Sequence, residues 1–97
     1  MAYEVLVSPR AQYEIELAID YYAQYSTLAP SNFIKQLNNA YLLLKNNPFL
    51  VVRYKNIRSI NLRKFPFTLF FIIDEKAFLV RVLSCFHNRR SPIKRPY

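Results

Sequence analysis

The chain reads as an α+β fold in which an antiparallel helical hairpin packs on one face of a largely antiparallel sheet, in the order β-α-α-β-β-β. Three observations lead there. First, the stretch Arg63 to Asp74 is apolar at both alternations, with Phe65, Phe67, Leu69, Phe71 and Ile73 on one face and Phe70 and Ile72 on the other. A strand apolar on both faces is covered on both, so it belongs inside a sheet. Second, two earlier stretches carry apolar residues at helical spacing and are joined by a short connection, which makes antiparallel neighbours of two helices. Third, strand-like runs flank the central strand on both sides, and both carry arginines.

The elements follow in order. Tyr3 to Val7 is a short strand. Ser8 reads as a helix N-cap and Pro9 as the first helical residue, where its missing N–H would have been unpaired anyway. The spacing of Ala11, Ile15, Ala18, Ile19 and Tyr22 predicts a helix from about Pro9 to Tyr25. Leu17, Tyr21 and Tyr25 widen its apolar face, and Glu14, Glu16 and Asp20 are left for solvent. Ser26-Thr27 breaks and recaps the chain. A second helix runs from about Leu28 to Asn46, with Phe33, Leu37, Ala40, Tyr41 and Leu44 as its stripe and Pro30 in its first turn. Pro48 forces Asn47 out of helical geometry and ends it.

From Phe49 the pattern becomes extended. The apolar run Phe49-Leu50-Val51-Val52 precedes a polar break at Tyr54-Lys55-Asn56, and Ile57 to Lys64 reads as a strand. The central strand follows, with Pro66 near its start because proline has no donor for the ladder. Ala77 to His87 is the last strand. The sequence contains no glycine, so left-handed turn positions are expected at Asn47, Asn56, Asp74 and Asn88.

Composition bounds the function. At 97 residues the expectation is one domain spanning 1–97, and 53% hydrophobic content supplies enough core to argue against disorder. Cys85 is the one cysteine, so no internal disulfide is available, and no apolar run reaches membrane-span length. With an N-terminus unlike a signal peptide, a cytoplasmic location is expected. Without glycine there is no phosphate-cradling loop or dinucleotide fingerprint, and one His with one Cys cannot build a zinc site. No metal and no cofactor is expected. Residues 1–48 carry a net charge of −1 and residues 49–97 a net charge of +9. A half-chain this basic points to a polyanion or an acidic protein segment as partner. The side chains that remain for chemistry or binding are Arg58, Arg63, Lys64, Arg81, His87, Arg89 and Arg90, with Tyr54 and Tyr97 near them in sequence.

These residues carry a resemblance. Ala18-Ile19-Asp20-Tyr21-Tyr22, Phe33 with Leu37, Leu44 through Asn47-Pro48, Ile57-Arg58-Ser59-Ile60, the strand Phe65 to Ile73 and the closing Val82 to Pro92 stand in one order. In that order the chain resembles the RelE/ParE superfamily of toxins from type II toxin–antitoxin systems. The resemblance implies the same fold, growth inhibition, a role in plasmid stabilisation, a cognate antitoxin as partner, no membrane, and DNA contact only through the antitoxin.

It also implies two alternative targets. ParE-like members poison DNA gyrase. RelE-like members cut messenger RNA on the ribosome without a metal, using a ribose 2′-hydroxyl as nucleophile. That chemistry needs a base, an acid and cations for the charge that develops. For a nuclease, His87 would be the acid or base and Arg58, Arg63 and Arg81 the charge stabilisers. Tyr97 lies ten residues beyond His87 rather than beside it, and the second strand lacks a dense lysine set. The closing His87-Asn88-Arg89-Arg90-Ser91-Pro92 looks more like the ParE side, for which Arg89, Arg90, Lys94, Arg95 and Tyr97 are the expected target contacts. A third reading is a degenerate, non-toxic module whose basic face binds without chemistry.

Overall fold

The computed structural model describes residues 2–49 and 52–89, the side chains of 52–54 excepted. Within them lie β1 (Glu4–Val7), α1 (Pro9–Ala23), α2 (Ala29–Asn46), β2 (Val52–Tyr54), β3 (Ile57–Asn61), β4 (Phe67–Asp74) and β5 (Leu79–His87). They form one sheet in the order β1-β5-β4-β3-β2, with β1 parallel to β5 and the other pairs antiparallel. The doubly apolar strand is therefore the middle one, as its pattern requires. The apolar run after α2 yields a further short strand, β2, at the sheet edge. Leu50 and Val51 lie outside the described residues.

Phe67, Leu69 and Phe71 of β4 meet Val80, Val82 and Cys85 of β5 on the side covered by the helices. Ala11, Ile15 and Ala18 of α1, with Phe33, Leu37, Ala40 and Leu44 of α2, close that core. Phe33 stands edge-on to both Phe65 and Phe67. On the opposite side of the sheet Phe70 and Phe86 are buried as a pair, with ring centroids 6.0 Å apart.

The caps match the sequence. Ser8 accepts from the Ala11 N–H at 3.1 Å with Pro9 following it. Ser26 accepts from the Leu28 and Ala29 N–H groups ahead of α2. Asn47 leaves the helix at φ −155°.

Three expectations are corrected. Among the described residues the left-handed positions are Lys55 (φ 53°), Lys64 (φ 68°) and Phe78 (φ 51°), not Asn47, Asn56, Asp74 or Asn88. At Phe78 the surrounding ladder overrides local preference: its carbonyl accepts from the Glu4 N–H at 2.9 Å and starts the β1–β5 pairing. Second, α1 ends at Ala23, and Leu17, Tyr21 and Tyr25 stand exposed instead of widening the core. Third, Glu14 is buried at 7% exposure while Glu16 and Asp20 face solvent.

Glu14 is buried because of a bulge. Phe70 pairs with Ser84 but Phe71 with Val82, so Leu83 is an extra residue in β5. A bulge breaks the ladder and leaves polar groups in need of other partners. Here α1 supplies them. The Ser8 hydroxyl donates to the Leu83 carbonyl at 3.1 Å. Glu14 Oε1 accepts from the Ser84 hydroxyl at 2.9 Å and from the Cys85 N–H at 3.1 Å. Arg10 Nε stands 3.7 Å from the other carboxylate oxygen.

Candidate functional site

Cations collect at one end of the sheet. The β3–β4 turn carries Arg63 and Lys64, both exposed, with Lys64 in the left-handed conformation. The end of β5 returns beside that turn, because the Asn88 N–H donates to the Pro66 carbonyl at 2.9 Å. Arg89 therefore lies at the same end of the sheet as Arg63 and Lys64. Beneath them the Thr68 hydroxyl lies 2.6 Å from side-chain oxygens of both Asn61 and Asn88. It has one proton to donate, so it is shared between these two oxygens unless one amide is turned to present its NH2, and either way it ties β3, β4 and the end of β5 together.

His87 sits at this end, half-buried, its ring edge-on to Phe67 at 5.0 Å. Its Nδ1 accepts from the Arg89 N–H at 3.2 Å. An acceptor Nδ1 places the proton of the neutral ring on Nε2, which makes Nε2 a donor.

The four residues named for nuclease chemistry do not share one place. Arg58 is paired with Phe71 and His87 with Phe67, four residues apart along β4, about 13 Å. The Arg58 guanidinium lies 5.4 Å from the centre of the Phe49 ring, on the helix-covered side. Arg81 pairs with Leu6 and Ile72 on the opposite side, exposed. Arg63 shares the basic end with His87. Of the expected target contacts, Arg89 is part of the basic end, and Arg90, Lys94, Arg95 and Tyr97 lie outside the described residues.

Two clefts flank the basic end. One, about 410 Å³, runs between α1 and β5, with Leu17, Tyr21, Phe67, His87 and Arg89 along it. The other, about 360 Å³, runs between α2 and β3, over Ala40, Leu43 and Ile60 and past Arg63. Among the described residues no group of His, Cys, Asp and Glu is placed to hold a metal ion, and no helix is long and apolar enough to cross a membrane.

Sequence reasoning missed Glu14 and the groove beside Arg63. The signal for Glu14 was its place between Ala11 and Ala18 on the inward line of α1. A carboxylate set between two small residues on a core stripe has room to reach the sheet.

The family model of the ParE toxin of type II toxin–antitoxin system, parDE, matches residues 5–92. No curated protein sequence matches the chain. Among solved structures, the chromosomal ParDE system from P. aeruginosa is similar with a TM-score of 0.74 at 12% identity, covering 89% of this chain and 96% of that one. The isolated E. coli RelE toxin gives a TM-score of 0.65 at 18% identity, covering 95% and 90%. The RelBE2 toxin–antitoxin complex from Mycobacterium tuberculosis gives 0.64 at 18% identity, covering 90% and 92%. These likenesses show the fold.

Proposed function

Because the chain belongs to the family of ParE toxins of type II toxin–antitoxin systems, we propose that it inhibits growth by poisoning DNA gyrase and is neutralised by a cognate antitoxin. The observation that carries the choice of target is the state of His87. Its Nδ1 accepts from the Arg89 N–H, so in the neutral ring the proton sits on Nε2 and the lone pair that a general base would use is engaged. Arg58 and Arg81 stand away from it on opposite sides of the sheet. Metal-free cleavage of RNA needs a base, an acid and cations converging on one phosphate. The basic end fits binding better than that chemistry, with Arg63, Lys64 and Arg89 as exposed cations. Arg90, Lys94, Arg95 and Tyr97 extend the proposed target contact in sequence.

Expression without the antitoxin is expected to arrest bacterial growth. Purified protein should accumulate cleaved DNA in a gyrase supercoiling assay and leave ribosome-bound message uncut. Truncation after Pro92 should weaken gyrase poisoning more than His87→Ala. Message cleavage by the wild-type protein, abolished by His87→Ala or Arg58→Ala, would sink this reading in favour of the nuclease.

A further inference from the structure

We propose that β1 pairs with β1 of a second copy of this chain, antiparallel and centred on Leu6, so that two sheets join into one across a two-fold axis. The inference goes beyond the toxin reading and does not depend on it.

The edge of β1 is open in one phase. In its parallel ladder with β5, the Glu4 N–H donates to the Phe78 carbonyl and the Ser8 N–H to the Val82 carbonyl, both at 2.9 Å. Glu4, Leu6 and Ser8 therefore turn their backbone groups toward β5, and Val5 and Val7 turn theirs outward. The outward N–H of Tyr3 donates to the Lys45 carbonyl at 2.8 Å. Among the described residues no hydrogen bond reaches the outward groups of Val5 and Val7. Such an edge is a template for another strand. The opposite edge of the sheet is blunted: β2 is three residues long and its pairing shifts between Val52 and Tyr54. Nothing of that kind interrupts β1, which has no Lys, no Pro and no shift.

A second β1 matches that phase. In antiparallel strands, residues that exchange both backbone bonds alternate with residues that exchange none. Setting Leu6 opposite its own copy places Val5 opposite Val7 and Val7 opposite Val5, the two positions whose groups face outward. Pro9, which has no N–H, stands where this ladder stops.

The side chains match as well. Leu6 is 41% exposed on the sheet face away from the helices. It would meet its counterpart at a non-bonded pair, where facing side chains are closest. On the helix side, Val5 and Val7 border a hollow of about 420 Å³ with Asn38, Tyr41, Leu42 and Lys45. The valines of the second copy would project on that side, beside it.

Charge selects the occupant. Arg81 lies opposite Leu6 on β5 and Glu4 two residues before it, both exposed on one face. Among the described residues neither is in an ion pair. The two-fold axis brings Glu4 of the second copy opposite Ser8, roughly 12 Å from Arg81 between Cα atoms, by strand spacing and rise. A glutamate and an arginine can span that distance. The contact recurs on the other side of the axis, as a self-complementary interface requires. A strand of another protein would satisfy Val5 and Val7 equally, but a second copy also supplies the facing leucine and the opposite charge for both Glu4 and Arg81. The basic ends of the two copies point away from each other and stay uncovered.

Sedimentation equilibrium of the purified full chain, at rising concentration, measures the mass, and hydrogen exchange locates the contact. Twice the chain mass is expected, with the Val5 and Val7 amides slowing in exchange as the dimer forms. Glu4→Arg and Arg81→Glu should each raise the dissociation constant about tenfold, and the double variant should return toward wild type. Leu6→Lys sets like charges opposite each other at the axis and should give a monomer. Lys55→Glu, at the far edge of the sheet, should dimerise as the wild type does. These positions are exposed, and the wild-type exchange data carry the test if melting curves show a variant unfolded. A wild-type monomer at every concentration overturns the proposal, as does a dimer that leaves Val5 and Val7 exchange unchanged. A double variant no tighter than either single one overturns the charge pairing. Protection of Val5 and Val7 that appears only when another protein is added overturns the second copy in favour of a foreign strand.

Discussion

The two helices meet the sheet in opposite ways. Along α1 the seam with β5 is bridged by polar bonds, Ser8 to Leu83 and Glu14 to Ser84 and Cys85, before it opens into the cleft along Leu17 and Tyr21. Along α2 the seam with β3 is an open groove, with Leu43 half in water above Ile60. The first seam satisfies groups that a bulge in β5 withdrew from the ladder. Beside β3 the pairing with β4 runs without a shift from Arg58–Phe71 to Asn61–Thr68. One seam uses its side chains to hold the fold, and the other leaves Leu43 and Arg63 exposed.

The sharpest way to break this contrast is to empty each seam in turn. Glu14→Ala would leave the Ser84 hydroxyl and the Cys85 N–H buried without their acceptor, and is expected to cost about 2–4 kcal/mol. Leu43→Ala, on a side chain half in water, should cost about 0.5 kcal/mol or less. Chemical denaturation of both variants measures the difference. Equal losses would show that the groove is as much a part of the core as the closed seam.

A smaller effect of opposite sign tests the turn that carries Arg63. Lys64 occupies the left-handed region without being Gly, Asn or Asp. Lys64→Asn should therefore raise stability by about 0.5–1 kcal/mol, through relief of backbone crowding. An unchanged midpoint would mean that the turn holds no local strain.

The smallest expected effect appears at alkaline pH. Tyr41 sits half-buried on the β1 side of α2 with Val5, Val7 and Leu42. Burial, with the Cys85 thiol nearby, raises its pKa above the usual 10.0. Burial also raises that of Tyr22, followed by the influence of Tyr21. A folded-state pKa above the unfolded one means that folding favours the protonated phenol. Its contribution is full below pH 10 and is lost as pH rises through the folded value. Stability should accordingly decline above about pH 10, and Tyr41→Phe should shallow that decline. An identical alkaline slope in Tyr41→Phe would remove Tyr41 from the account.

Much of this was legible in the chain. Alternation placed β4 in the middle of the sheet, because residues apolar on both sides have nowhere else to go. Ser8-Pro9 started α1 and Asn47-Pro48 ended α2, because capping and the proline ring act within a few residues. The basic character of the second half, and the family resemblance carried by the order of the motifs, were also present in the sequence. Local rules failed where a distant strand set the terms. Phe78 takes a left-handed conformation because its carbonyl must meet the Glu4 N–H of β1, more than seventy residues earlier. Glu14 has room to turn inward between Ala11 and Ala18, but the bulge at Leu83 that gives it partners lies about seventy residues away in sequence.

The site divides in the same way. By itself the sequence determined which cations and which histidine were available, and that no carboxylate interrupts the stretch from residue 21 to 73. Only the tertiary structure decided that Arg63, Lys64 and Arg89 share one end with His87, that Arg58 and Arg81 fall on opposite sides of the sheet, and that a groove opens between α2 and β3. Charge and alternation are sums over the chain and survive any folding. Which side chains meet depends on strand register, and one extra residue at Leu83 resets that register for everything beyond it.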